Sequence, residues 1–96
     1  MFDRIMRLLR QKVGAGDFVV TVHAEEEMTD DGLMVSDVEQ VIACGSIQEC
    51  QRDRATGERK YRVRGSATDG RLVQAVIKLG PTGKVVFVTL YVEEET

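Results

Sequence analysis

Histidine and cysteine are scarce in this sequence: one histidine, His23, and two cysteines, Cys44 and Cys50. Two cysteines are too few for a disulfide framework. Set beside a single histidine they make no recognisable zinc pattern. They are expected to be buried, reduced thiols that behave as small hydrophobes. Long apolar runs are also missing, and no stretch approaches the roughly 20 residues that span a bilayer. The N-terminus, Met1 to Arg10, has neither a signal peptide's continuous apolar block nor its small-residue cleavage site. A cytoplasmic chain without a membrane partner is therefore expected. There is no repeat, linker or low-complexity tract.

The 96 residues suffice for one hydrophobic core and no more, and 43% hydrophobic with 30% charged residues is an ordinary globular balance. The net charge of −3 hides an asymmetry. Residues 52–71 hold seven bases (Arg52, Arg54, Arg59, Lys60, Arg62, Arg64, Arg71) against three acids, a local +4, and the remainder carries −7. A basic character confined to one segment points to a local anion-binding surface rather than to a wholly basic nucleic-acid binder.

One domain over 1–96 is expected, with an amphipathic helix at 1–13, an α+β core at 17–92 and an acidic tail at 93–96 that frays. Phe2, Ile5, Met6 and Leu9 lie at helical spacing, with Arg4, Arg7 and Arg10 opposite. Phe18 to Val22 reads as a strand ending at His23, followed by a helix over about 24–30 that stops near Gly32. Ser36 and Glu39 have capping-box spacing at the head of a helix reaching about Ala43 and closed by Gly45. From Ser46 the period becomes two, giving strands at 46–53, 59–66, 71–79 and 84–92. Their connections are Thr56-Gly57, Asp69-Gly70 and Gly80-Pro81-Thr82-Gly83, all turn chemistry. The expected architecture is an antiparallel four- to five-stranded curved sheet with three helices on one face. Alternation sends Tyr61, Val63, Val73, Ala75, Ile77, Leu79, Val86, Val88, Leu90 and Val92 toward the helices. It sends Lys60, Arg62, Arg64, Gln74, Lys78, Phe87, Thr89 and Tyr91 the other way.

Two groups of residues could carry chemistry. Lys60, Arg62 and Arg64 project from one strand face about 6.5–7 Å apart, a spacing that lets a row of bases follow a nucleic-acid backbone. Phe87 and Tyr91 on the same face could stack on bases. A solvated polar sheet face explains the same row without any ligand. His23 is the one side chain of a type that ordinarily titrates near neutrality. Metal-free RNA cleavage needs proton carriers, here His23, Tyr61 and Tyr91, and cations for the phosphorane, here Arg59, Arg62, Arg64 and Arg71. A hydrogen-bonded structural histidine is the plainer alternative. Glu27, four residues on, can pair with His23 on a helix, which favours a stabilising or acid role over a base. Glu25, Glu26 and Glu27 point to different sides of a helix and cannot chelate one ion, so no metal or cofactor is expected.

His23-Ala24, Met28, Gly32-Leu33, Ser36-Asp37-Val38-Glu39 with Val41-Ile42, Gly45-Ser46-Ile47, Gly70-Arg71-Leu72-Val73 and Val88-Thr89-Leu90-Tyr91 follow one another in an order that resembles the family called domain of unknown function 4258. The resemblance covers about residues 18–92. It implies kinship with RelE-like toxin nucleases: a small α+β ribonuclease fold, metal-independent RNA cleavage by 2′-OH attack, and an antitoxin partner. By position it implies catalytic roles for His23, Arg71, Thr89 and Tyr91; phosphate binding is expected from the row Lys60, Arg62 and Arg64 on the strand spacing given above. The chain departs from the pattern at Glu27 and Asp31, where bases are usual, and these reverse the charge near the expected phosphate site. A catalytically weak or inactive binding module on the same fold, engaging a protein or nucleic acid, is the competing expectation. Cleavage requires the imidazole and the arginine-bearing strand to share one open concavity.

Overall fold

The computed structural model describes residues 1–94. Its elements are α1 (Asp3–Gly14), β1 (Val19–Val20), α2 (Val22–Asp31), α3 (Val35–Cys44), β2 (Ser46–Arg52), β3 (Arg59–Ser66), β4 (Leu72–Leu79) and β5 (Val85–Val92). The five strands form one sheet in the order β1-β5-β4-β3-β2. The meander β2 to β5 is antiparallel as the period-two pattern requires, and each strand lies within about one residue of its expected bounds. The sheet as a whole is mixed, not antiparallel, because β1 pairs parallel to β5 at Val19–Val86 and Val20–Phe87. The chain passes through two helices and three strands between these partners, a separation too long for turn residues to reveal.

The helices contribute Met6, Leu9, Val13, Ala24, Met28, Val38, Val41 and Ile42 to a core completed by Val63, Val73, Ala75, Ile77, Phe87 and Leu90 of the sheet. Helix α3 crosses β3 so closely that a Cβ at Gly65 would run into the backbone of Val41. Arg10 on α1 donates to the carbonyls of Ile42 (3.4 Å) and Gly45 (3.2 Å), satisfying acceptors at the C-terminal end of α3. The Phe2 ring meets Tyr61 edge-on at 6.3 Å.

Four local expectations are corrected. First, β5 does not alternate throughout. Val76 opposes Thr89 and Ile77 opposes Phe87, so Val88 is the extra residue of a bulge. The bulge inverts the phase: Val85 and Phe87 are buried below it and Leu90 above it. Phe87 is thus a core residue, edge-on to Phe18 at 5.4 Å, and offers no stacking surface. Second, both cysteines are exposed. Cys50 lies on the edge strand β2 beyond the reach of the helices, and the Cys44 thiol accepts the Ser66 N–H at 3.3 Å. Third, α3 starts one residue before Ser36. Asp37, not Glu39, returns its carboxylate to the Met34 N–H (2.8 Å). Fourth, Glu93 is tied down: its N–H donates to Leu72 O at 2.8 Å. The expected fraying at residues 95–96 falls outside the described residues. Among the described residues no helix is long and apolar enough to cross a membrane.

Candidate functional site

Thr21 fixes the start of α2. Its hydroxyl accepts the Ala24 N–H (3.1 Å) as an N-cap and donates to the carbonyl of Val88, the bulge residue (3.3 Å). Its own N–H donates to Phe87 O. His23 therefore sits inside the first turn of α2 rather than at the end of a strand. Its Nε2 lies 3.1 Å from Glu27 Oε1, and the imidazole is 66% exposed. Glu27 also accepts the Leu90 N–H (3.2 Å), and one turn on Asp31 accepts the Val92 N–H (2.8 Å). Beyond the two residues of β1, the outer edge of β5 is thus closed by helix carboxylates in place of a strand. This is the local reason for acids at the two positions where bases were expected. A base at either position has no acceptor to offer an edge amide.

Thr89 and Tyr91 lie on β5 beside this seam. Glu27, Asp30, Asp31, Tyr91, Val92 and Glu94 line a groove of about 430 Å³. Four carboxylates in that groove repel a phosphodiester. Arg71 is elsewhere. Its Nη1 donates to Asp31 O (2.7 Å), Nη2 reaches Gly32 O (3.4 Å) and Nε bonds Asp69 (2.7 Å), so it caps the C-terminal end of α2. The nine residues from His23 to Gly32 put Arg71 about 13 Å along the helix axis from the imidazole. The four residues singled out by position are thus not one cluster: His23, Thr89 and Tyr91 border the β5 edge, and Arg71 serves the opposite end of α2. Tyr61, 1% exposed, is core and carries no protons to a substrate.

Lys60, Arg62 and Arg64 project from the face that no helix covers, as their alternation requires. β3 stands two strand spacings from β5, about 10 Å, and His23 lies beyond β5. The imidazole and the basic row therefore do not close on a single phosphate. The row is also partly neutralised. Arg62 shares Glu49 (3.4 Å) and Gln74 Oε1 (3.3 Å), and Arg64 grips Glu93 through two hydrogen bonds of 2.6 and 3.1 Å. Hydrogen bonding to Arg64 holds the Glu93 carboxyl below the usual carboxylate range. Pairing registers place Arg64, Gln74 and Tyr91 in one line across β3, β4 and β5. That line is the feature sequence inspection missed, since it depends on the position of the β5 bulge.

Residues 20–92 match the model of the family described as Domain of unknown function (DUF4258). The chain belongs to the DUF4258 family. The matched span runs from β1 to the end of β5, so both the α2–β5 seam and the open sheet face are parts of the DUF4258 domain, with α1 added before it. No curated protein and no solved structure matches the chain. Among the described residues, no group of three or more His, Cys, Asp or Glu side chains is placed to hold a metal ion.

Proposed function

We propose that this domain is an RNA-binding module on a RelE-like toxin scaffold, engaging single-stranded RNA across its open sheet face. The observation that carries this is the line Arg64–Gln74–Tyr91, joined along β3 by Arg62 and Lys60. It sets guanidinium forks for phosphate, an amide for a base edge and a phenol ring for stacking at successive strand spacings. Exposed carboxylate partners lower the affinity without preventing binding, because such pairs are weak and salt-screened and a phosphate offers the same bidentate geometry. The acidic margin along α2 gives the face a direction, keeping the RNA backbone toward β3. Labelled oligouridylate followed by fluorescence anisotropy tests this. Replacing Lys60, Arg62 and Arg64 by Gln is expected to weaken binding by about tenfold or more and to reduce the salt slope by about 2. Affinity and slope unchanged in that variant would refute RNA binding through this face.

A second function, the RNA-cleaving toxin held in check by an antitoxin, would have to act without the shared concavity that the imidazole and the basic row do not form, and is supported by one observation. The His23 imidazole is largely exposed, with Nε2 3.1 Å from Glu27, the carboxylate that accepts the Leu90 N–H of the strand carrying Tyr91. In that chemistry the 2′-oxygen loses its proton to water as it attacks phosphorus. The 5′-oxygen leaves and takes a proton from His23, and a 2′,3′-cyclic phosphate remains. Arg71 takes no part. Expression of the wild type should then arrest growth, and purified protein should cut RNA in the presence of a chelator. His23→Ala should abolish both while keeping RNA binding. Undiminished cleavage by His23→Ala, free of contaminating nuclease, would remove the histidine from the reaction.

A further inference from the structure

We propose that Glu93 gates the RNA face, standing in for a phosphate on Arg64 until a bound strand displaces it. This rests on the proposal that the open face binds RNA, and adds how one of its cations is withheld. Glu93 Oε1 accepts from Arg64 Nε (2.6 Å) and from Gln74 Nε2 (2.6 Å), while Oε2 accepts from Arg64 Nη2 (3.1 Å). One carboxylate thus occupies the first two members of the Arg64–Gln74–Tyr91 line together. Its fork-on-fork geometry is the one a phosphate adopts on the same guanidinium.

The other bases are held differently. Arg62 meets a single Glu49 oxygen through two contacts of 3.4 Å, a looser arrangement than the Glu93 clamp. Lys60 has no ion-pair partner within 4.0 Å among the described residues, so one cation of the row stands free of a carboxylate, one is loosely paired and one is clamped. Glu93 follows β5, and its backbone is fixed by the bond to Leu72 O. Release therefore needs only rotation of its side chain, which frees an arginine fork and an amide donor in one step. Until then Glu93 holds the Arg64 guanidinium and the Gln74 amide together.

Glu93→Gln keeps the side chain's shape and removes its charge. Glu94→Gln, which faces the acidic groove, makes the same change in net charge away from Arg64. With labelled oligouridylate, Glu93→Gln should tighten binding about fivefold and Glu94→Gln by less than about twofold, and the Glu93 gain should vanish beside Arg64→Gln. Equal effects of the two glutamate changes would mean a net-charge effect and overturn the gate. So would unchanged or weaker binding by Glu93→Gln, or a gain that survives loss of Arg64. If no variant binds RNA, the RNA proposal fails, and inorganic phosphate then decides the gate by itself. A phosphate-dependent shift of the Arg64 Nε–H resonance in Glu93→Gln but not in the wild type supports it, and no shift in either refutes it. Tightening toward polyglutamate but not RNA would overturn the RNA version and assign the face to an acidic protein.

Discussion

Replacing Asp37 by Ala removes the one buried charged side chain among the described residues, a carboxylate only 6% exposed. Its Oδ1 accepts the Thr68 N–H (2.9 Å) and hydroxyl (2.6 Å), and Oδ2 accepts the Met34 N–H (2.8 Å). These bonds tie the start of α3 to the β3–β4 turn, elements 31 residues apart in the chain. A hydrogen bond to a charged group contributes about 1.5–3 kcal/mol, and a donor stranded by its loss costs about 1–3 kcal/mol. Thr68 itself is exposed, so water can replace part of the loss there. A destabilisation of about 2–4 kcal/mol is expected for Asp37→Ala, most of it from the Met34 amide and the lost link between elements. Asp37→Asn should cost less, since its oxygen can keep Thr68 while its amide opposes the Met34 N–H. Hydrogen bonds from Thr68 and Met34 hold the folded carboxyl below the ordinary aspartate value near 3.8. The unfolded chain therefore binds this proton more readily than the folded one, and stability rises with pH through that window. The contribution is complete above the ordinary value and is lost as pH falls through the lowered folded one. Urea unfolding at neutral pH and at successive acid values measures both effects. A loss under about 1 kcal/mol for Asp37→Ala at neutral pH, or an acid slope unchanged in Asp37→Asn, would refute this account.

Two further outcomes follow from the β5 strand. Glu27→Ala with Asp31→Ala should raise hydrogen exchange at the Leu90 and Val92 amides by about tenfold or more relative to Ala75, because their acceptors are gone and no strand replaces them; equal protection would mean the carboxylates do not close the edge. Phe87→Ala should cost about 3–5 kcal/mol and Tyr91→Ala less than about 1 kcal/mol in the same unfolding assay, since the bulge puts the first ring in the core and leaves the second exposed. Similar losses would restore simple alternation through β5.

The meander was legible because its causes are local. Period-two alternation from Ser46, with Asp69-Gly70 and Thr56-Gly57 where left-handed residues are needed, set each strand within about one residue. Gly57 and Gly70 indeed take φ of 74° and 91°. The row Lys60, Arg62, Arg64 was legible for the same reason, since one strand's alternation needs no knowledge of its neighbours. Phe87 was misplaced because a bulge adds a residue without any mark in composition. Cys50 was misplaced because burial depends on strand order: the same residue in β4 would lie under the helices. His23 was recognised as a chemistry-bearing residue, but its relation to Arg71 was not. Both belong to the same family pattern, yet a helix lies between them.

What the sequence determined by itself is the α+β class, the kinship with DUF4258 and the presence of a basic strand on a helix-free face. Each of these follows from periodicity or from an ordered set of short motifs. The tertiary structure alone decided that β1 joins parallel to β5, that Glu27 and Asp31 serve edge amides, and that Arg64 is clasped by Glu93 29 residues away. These are pairings between distant segments, settled by which backbone and side-chain groups the sheet order brings together, and no local pattern of residues encodes that.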